Sequence, residues 1–188
     1  MSQDQQRKKK YTKIILVYPV ALIIASLLIN IIFSGVDGFV VALPSRAVTV
    51  AMVLAAVLLL INHTWLMTST ELTRLRYDMH ATPEEWAASA NSKDDVSDEA
   101  LEELQRRHNA HRNATENTVH FVFLAILVGL ISPVTIAAQV WILGFAVGRL
   151  AHTYFYLVGN DNARGFAMSL SLVSLYGLAS YAVVSLFV

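Results

Sequence analysis

Five long apolar segments constrain the fold of this chain more than any other feature of its sequence. They occupy residues 14–33, 47–67, 118–132, 134–158 and 166–188. A helix needs about 20 apolar residues to cross the hydrocarbon core of a bilayer, where its backbone groups must bond to one another. The pattern therefore predicts an all-α integral membrane protein with five spans. The third segment is shorter than the others, and the fourth contains Arg149 and His152.

The composition supports a membrane protein. Hydrophobic residues make up 55% of the chain and charged residues 15%, against about 45–50% and about 25% in soluble domains. The 14 basic and 14 acidic residues cancel, so nothing in the charge suggests a nucleic-acid partner. The chain has no cysteine, which excludes disulfides and a cysteine nucleophile. Any thiol chemistry would need a thiol supplied by a substrate.

The basic residues predict an orientation in the membrane. All but Arg46 and Arg149 lie in three places: before the first segment, between the second and third, and between the fourth and fifth. Basic residues favour the cytoplasmic side. We therefore expect the N-terminus, the connection 68–117 and the turn 159–165 to be cytoplasmic. The first segment does not resemble a cleaved signal peptide.

Two stretches of the long connection carry helix signals. Thr82-Pro83-Glu84-Glu85 is typical of a turn or helix start, since proline is favoured in the first helical turn. The acidic run from Asp98 predicts a helix that continues through Arg112 into the third apolar segment. We also place Pro19 in the first turns of its helix, where a missing N–H costs little.

Two groups of polar residues border the membrane on this side. Arg112 and Glu116 are four residues apart and can share a helix face, either as an interfacial ion pair or as part of a ligand site. Arg149, His152 and Tyr156 share one face of the fourth segment. An arginine inside a span costs about 2.5–3.5 kcal/mol, so Arg149 needs a partner, which could be Glu116 or a ligand carboxylate. The spacing of His108 and His111 does not favour a metal site.

These residues resemble a known family. The stretches 111–117 and 148–157, followed by Arg164, are similar to motifs of the MAPEG family, the membrane-associated proteins of eicosanoid and glutathione metabolism. The stretches 72–76 and 82–85 are similar to a loop of the prostaglandin synthase of that family. The resemblance covers residues 47–188. It implies a four-helix bundle assembled as a homotrimer, with glutathione bound between subunits near the cytoplasmic face.

The resemblance also implies roles for individual residues. Glutathione-contacting positions of the family correspond to Arg74, Arg112, Asn113, Glu116, His152, Tyr156 and Arg164. Arg164 matches the arginine thought to hold the thiolate, and we assign it and Tyr156 as the catalytic residues. Arg149 is a further candidate for binding a glutathione carboxylate. The chain departs from the family pattern at Ala114, often an aspartate, and from the prostaglandin synthase at Gly165, a serine there, and at Glu85, an aspartate there.

The function implied is that of a membrane-bound glutathione transferase, with peroxidase activity as an extension, acting on hydrophobic electrophiles from the lipid phase. The alternatives are an eicosanoid-type glutathione-dependent isomerase and a non-catalytic lipid-binding membrane protein. A small-solute transporter fits less well, because the charges cluster at one face rather than the midplane. Residues 1–46 lie outside the resemblance and add one N-terminal transmembrane helix. That helix, with no targeting signal, favours a bacterial inner membrane over the endoplasmic reticulum.

Overall fold

The computed structural model describes residues 3–188, which form helices joined by short turns and contain no strand. The six α-helices are α1 (Gln3–Leu28), α2 (Arg46–Arg76), α3 (Pro83–Ala88), α4 (Asp98–Leu130), α5 (Thr135–Leu157) and α6 (Asp161–Val184). A wider π-helical turn, Ile29–Ser34, continues α1. The expected all-α fold is confirmed.

Serine side chains just before two of the helices cap their N-terminal ends. Ser45 accepts a hydrogen bond from the Val48 N–H at the start of α2, and Ser97 accepts one from the Ala100 N–H at the start of α4. Such caps satisfy N–H groups that have no partner inside the helix. The predicted start of α4 at Asp98 is confirmed.

The predicted start of α3 is confirmed by a reciprocal cap. The Thr82 hydroxyl accepts from the Glu85 N–H, and the Glu85 carboxylate accepts from the Thr82 N–H. The Glu85 carboxylate also accepts from the Ala81 N–H. These bonds to the backbone of Ala81 and Thr82 stabilise the ionised form and hold the pKa of Glu85 below its usual value. Glu85 therefore has a structural role in this subunit.

Two expected helix boundaries and the expected position of Pro19 were wrong. The helix α2 continues to Arg76, so the polar connection 68–117 consists mostly of extensions of two helices joined by residues 77–97. Arg164 lies in the first turn of α6 rather than in the loop before it. Pro19 lies deep inside α1, because the basic residues before the apolar segment are themselves helical.

Within residues 3–188, four helical segments are long and apolar enough to cross a membrane. They are Gln5–Ser34, Arg46–Arg76, Asp98–Leu130 and Asp161–Val184. Large apolar side chains are exposed along them, as expected for surfaces that face lipid or a neighbouring subunit. Helix α5 does not belong to this set, because Gln139, Arg149 and His152 interrupt its apolar sequence. The fifth span stays a prediction.

Helix α5 forms the centre of the bundle and packs against both α2 and α6. Its Phe145 ring stacks on Phe121 of α4, with ring centroids 4.1 Å apart. Its contact with α6 is close because glycines at the contact have no side chain. A Cβ at Gly148 would lie 2.8 Å from the Ser171 nitrogen, and one at Gly177 would lie 2.4 Å from the Trp141 ring. Small residues of this kind let helix backbones approach in membranes.

The additional N-terminal helix is joined to this bundle by a buried asparagine. The Asn30 amide donates to the Gly177 carbonyl at 2.8 Å and to the Ser180 hydroxyl at 2.9 Å. Its Oδ1 accepts from the Trp141 indole N–H at 2.8 Å. Asn30 is fully buried, so these bonds link α1 to both α5 and α6. The additional helix is thus an integral part of the subunit.

We expect Asn30→Leu to destabilise the subunit by about 1–3 kcal/mol, because it leaves the buried Trp141 N–H without an acceptor. Thermal unfolding in detergent measures the change. Tyr18→Phe is the matched control, since it removes an exposed hydrogen bond between Tyr18 and Ser169 of α6. Equal melting temperatures for Asn30→Leu and the control would contradict the assigned role of Asn30.

Candidate functional site

A fully buried arginine lies at the centre of the predicted site. Arg149 of α5 has no exposed surface. Its Nη2 donates to the Asn113 side-chain oxygen on α4 at 2.7 Å and lies 3.4 Å from His152 Nδ1. Its Nη1 donates to the Met168 sulfur on α6 at 3.3 Å. One guanidinium therefore connects three helices at the predicted site.

An ion pair between Arg149 and Glu116, one of the two partners considered for Arg149, is not formed. Within residues 3–188, Arg149 has no carboxylate partner, and its acceptor on α4 is Asn113. Asn113 lies three residues before Glu116, on the part of the helix that faces α5. Glu116 is exposed. The positive charge of Arg149 is therefore enclosed in the subunit without a negative partner.

Three aromatic and basic side chains extend from this cluster to the start of α6. The rings of His152 and Tyr156 lie 5.6 Å apart between centroids. The Arg164 guanidinium lies over the Tyr156 ring, 4.9 Å from its centroid. Arg164 also pairs with Asp161 at 3.2 Å. The predicted common face of Arg149, His152 and Tyr156 is confirmed by these contacts.

Tyr156 and Arg164 open onto a groove of about 530 Å³, which we call the polar groove. Its other wall is the first half of α4. The residues that line it there are Leu101, Glu102, Gln105, Arg106 and Asn109. The groove is a surface feature that combines cationic, amide and phenolic groups with the carboxylate of Glu102. It can accept a polar, anionic molecule along α4.

The remaining predicted residues lie on a different surface. Arg112 and Glu116 line a shallow cavity of about 380 Å³ with His108, His111 and Thr115, all from α4. The two residues share a helix face as expected, but they form no ion pair. Arg112 instead donates to the Asn109 side-chain oxygen at 3.0 Å. We call this surface the outer face of α4.

Arg74 reaches the outer face of α4 from the end of α2. Its Nη2 lies 3.2 Å from His108 Nε2, and its Nη1 pairs with Glu71 of its own helix. Within one chain, the predicted residues thus lie in two separate groups. Asn113, Arg149, His152, Tyr156 and Arg164 form one, and Arg74, Arg112 and Glu116 form the other.

Sequence reasoning missed the residue that links the two groups. Asn109 lines the polar groove with Tyr156, and its oxygen accepts from Arg112 and from Gln105. The signal was present, because residues 105, 109 and 113 follow one another at intervals of one helical turn on α4. The same helical spacing, counted back one turn from Asn113, points to Asn109.

An apolar groove runs between α2 and α4, away from the polar groove. Two adjoining cavities of about 560 and 520 Å³ share Leu59 and Val122 in their walls. At one end, His63 and His111 approach each other, with 3.3 Å between ring nitrogens. Among the described residues, no cluster of three or more His, Cys, Asp or Glu could hold a metal ion.

The polar groove favours polar, anionic ligands, and the apolar groove favours apolar molecules from the bilayer. Guanidinium groups recognise carboxylates through paired N–H donors. A guanidinium and a phenol at the mouth of a partly enclosed groove also stabilise a thiolate, since nearby positive charge and hydrogen-bond donors favour the charged form. The exposed carboxylate of Glu116 can accept an amine.

Comparisons with known proteins agree with this architecture. The model of the MAPEG family matches residues 50–184. The chain is similar to the prostaglandin E synthase of Canis lupus familiaris, 32% identical over 118 residues, or 63% of this chain and 75% of that protein. It is also similar to the prostaglandin E synthase of Homo sapiens, 34% identical over 107 residues, or 57% of this chain and 68% of that protein.

The family match covers well over half of the chain and includes both groups of site residues, from Arg74 on α2 to Arg164 on α6. It also agrees with the resemblance seen in the motifs of α4 and α5. The additional helix α1 lies outside the match, as expected. The chain is therefore a multi-pass membrane protein that belongs to the MAPEG family.

Proposed function

We propose that this protein is a membrane-bound glutathione transferase that conjugates glutathione to hydrophobic electrophiles from the lipid phase. The observation that carries the proposal is the Arg164 guanidinium over the Tyr156 ring, at the mouth of the polar groove. A free thiol has a pKa of about 8.5 and is mostly protonated at neutral pH. A guanidinium and a phenolic O–H beside the sulfur stabilise the thiolate that attacks the electrophile.

Glutathione matches the charges on both surfaces of the site. It has two carboxylates, one amine and one thiol. Arg74 and Arg112 supply donors for carboxylates, and Glu116 supplies an acceptor for the amine. Arg164 and Tyr156 hold the sulfur. Peroxidase activity would use the same thiolate with a lipid hydroperoxide in place of the electrophile.

The division of the site between two surfaces supports assembly as a homotrimer. Arg112 and Glu116 lie on an exposed face of α4 that continues into the exposed apolar residue Phe123. A neighbouring subunit packed on this face would enclose glutathione between its own residues and those of α4. In this assembly α5 crosses the membrane as the fifth span, and the N-terminus and the site are cytoplasmic.

The structure offers the electrophile an apolar binding surface that faces the bilayer. The apolar groove between α2 and α4 is open to the lipid-facing surface and is lined by side chains such as Leu60 and Val119. It is large enough for a drug-sized or acyl-chain substrate. This supports substrates that partition into the membrane. A bacterial inner membrane stays the predicted location.

We expect Arg164→Ala to lower the rate of glutathione conjugation to a generic aryl halide by about a hundredfold or more, because the thiolate loses its main stabilising donor. Detergent-purified protein is assayed spectrophotometrically, and size-exclusion chromatography checks the oligomer. Arg76→Ala is the matched control, because Arg76 also lies over a tyrosine ring, 5.2 Å from the Tyr77 centroid, but outside the polar groove. Wild-type turnover in Arg164→Ala would remove the assigned catalytic role. No conjugation by any of the proteins would favour the lipid-binding alternative.

We expect Glu116→Gln to weaken glutathione binding by about tenfold or more, because a hydrogen bond to a charged group contributes about 1.5–3 kcal/mol. The rate at saturating glutathione should change little, since the amine lies far from the reacting sulfur. Isothermal titration calorimetry measures the affinity. Glu84→Gln, at an exposed position in α3, should bind as the wild type does. Unaltered affinity in Glu116→Gln would exclude its contact with the amine.

A second candidate function is that of a glutathione-dependent isomerase of eicosanoid type. The named relatives support it, because both are prostaglandin E synthases. Two features of this chain weaken it. Gly165 has no hydroxyl beside Arg164, and the Glu85 carboxylate is bonded to the backbone of Ala81 and Thr82.

Gly165→Ser tests this alternative. A Cβ at Gly165 would meet no atom within 4 Å, so the serine fits without strain. We expect the variant to gain isomerase activity by about tenfold or more, since one added donor can stabilise a developing anion to that extent. Gly165→Ala is the matched control, because it adds the Cβ without the hydroxyl. Strong isomerase activity in the unmodified protein would instead favour the second function.

A further inference from the structure

We propose that Arg149 is a positioning residue that orients Asn113 and His152 as hydrogen-bond donors for an anionic group of the ligand, without touching the ligand itself. The inference rests on the proposed function, since it concerns how the same site binds glutathione. It replaces the expected direct contact between Arg149 and a glutathione carboxylate.

Arg149 is too enclosed to bind a ligand directly. Its side chain has no exposed surface, and its Nη1 is directed at the Met168 sulfur on α6. Its Nη2 is bonded within the subunit, and its Nε is buried without a partner among residues 3–188. A ligand in the polar groove therefore has no access to this guanidinium.

The bond from Arg149 determines which end of the Asn113 amide faces outward. A guanidinium is only a donor, so the atom of Asn113 that lies 2.7 Å away must be the oxygen. The Asn113 NH₂ group is then on the opposite side. It has no side-chain bond within residues 3–188, and it is not among the fully buried unpartnered atoms. The Asn113 NH₂ group is thus a free N–H donor that keeps some exposed surface.

The same guanidinium determines the tautomer of His152. Nδ1 faces Arg149 Nη2 at 3.4 Å and must be the acceptor, because a guanidinium cannot accept a hydrogen bond. The ring proton of the neutral imidazole therefore lies on Nε2. Within residues 3–188, Nε2 has no partner and is not fully buried. His152 thus presents a second free N–H donor, beside the Tyr156 ring.

The enclosed charge adds to the effect of these two donors. Arg149 has no carboxylate partner in the described part of the chain, so its positive potential is not cancelled locally. Electrostatic interactions are strong where water is excluded. Two neutral donors in front of an uncompensated cation form a binding site for an anion. A basic residue in direct contact is not required.

The decisive measurement determines the tautomer of His152, and it requires no ligand. The full-length protein is labelled with ¹⁵N-histidine and reconstituted in nanodiscs, and the His152 signals are assigned by comparison with His152→Gln. We expect the proton on Nε2 in the wild type, with Nδ1 unprotonated. A wild-type His152 that carries its proton on Nδ1 overturns the proposal, whatever the variants do.

Two variants separate positioning from a structural role. Arg149→Met keeps an unbranched side chain as far as the position of Nε but has no donors, and we expect mixed His152 tautomers and glutathione binding weakened about tenfold or more. Asn113→Asp keeps the acceptor for Arg149 and replaces the outward NH₂ with an anionic oxygen. It should retain the His152 tautomer and the melting temperature but lose glutathione affinity by a similar factor.

The outcomes also distinguish this inference from the proposed function. If the wild type binds no glutathione but His152 has the expected tautomer, the proposed function fails and the positioning of the donors stands. Arg149→Met with wild-type tautomer and affinity overturns the positioning role. If Arg149→Met does not fold, the wild-type tautomer and Asn113→Asp decide, because wild-type glutathione affinity in Asn113→Asp contradicts the outward donor.

Discussion

A guanidinium enclosed among apolar helices must find hydrogen-bond acceptors within the protein, because no water is available to solvate it. Arg149 meets this requirement with one acceptor from α4, one from its own helix and the sulfur of Met168 on α6. The three helices are thereby held in one arrangement around the charge. The orientation of Asn113 and His152, and with it the polarity of the site, follows from this single requirement.

The position of Arg149 depends in turn on close packing between α5 and α6. Gly148, the residue before it, touches the α6 backbone so closely that a methyl group would not fit. Farther along the same contact, Gly177 receives the Trp141 ring, whose N–H reaches Asn30 on the additional helix. Small residues bring the backbones together, and buried polar groups then fix their register. The N-terminal helix extends the same interface.

The polar residues of α4 face different directions because they lie on different stripes of the helix surface. Asn109 lines the polar groove and Asn113 bonds to Arg149 of α5, whereas Arg112 and Glu116 lie on the neighbouring exposed stripe. Asn109 bonds to Arg112 across the boundary. A tripeptide with charges at both ends can use both stripes only where another surface covers α4. This is the physical reason for proposing a binding site shared between subunits.

The sequence by itself determined the helical fold, the four long apolar helices found within residues 3–188 and the family, because hydrophobic length and two separated motifs are local properties of the chain. It also predicted that Arg149, His152 and Tyr156 share a face, since helical periodicity requires it. It could not choose the partner of Arg149. Asn113 and Glu116 are nearly one turn apart on α4, and only the packing of α4 against α5 decides that Asn113 receives the guanidinium and Glu116 stays exposed. The place of the N-terminal helix was likewise decided by tertiary structure, because Asn30 meets Trp141 and Gly177 only after three helices distant in sequence have packed together.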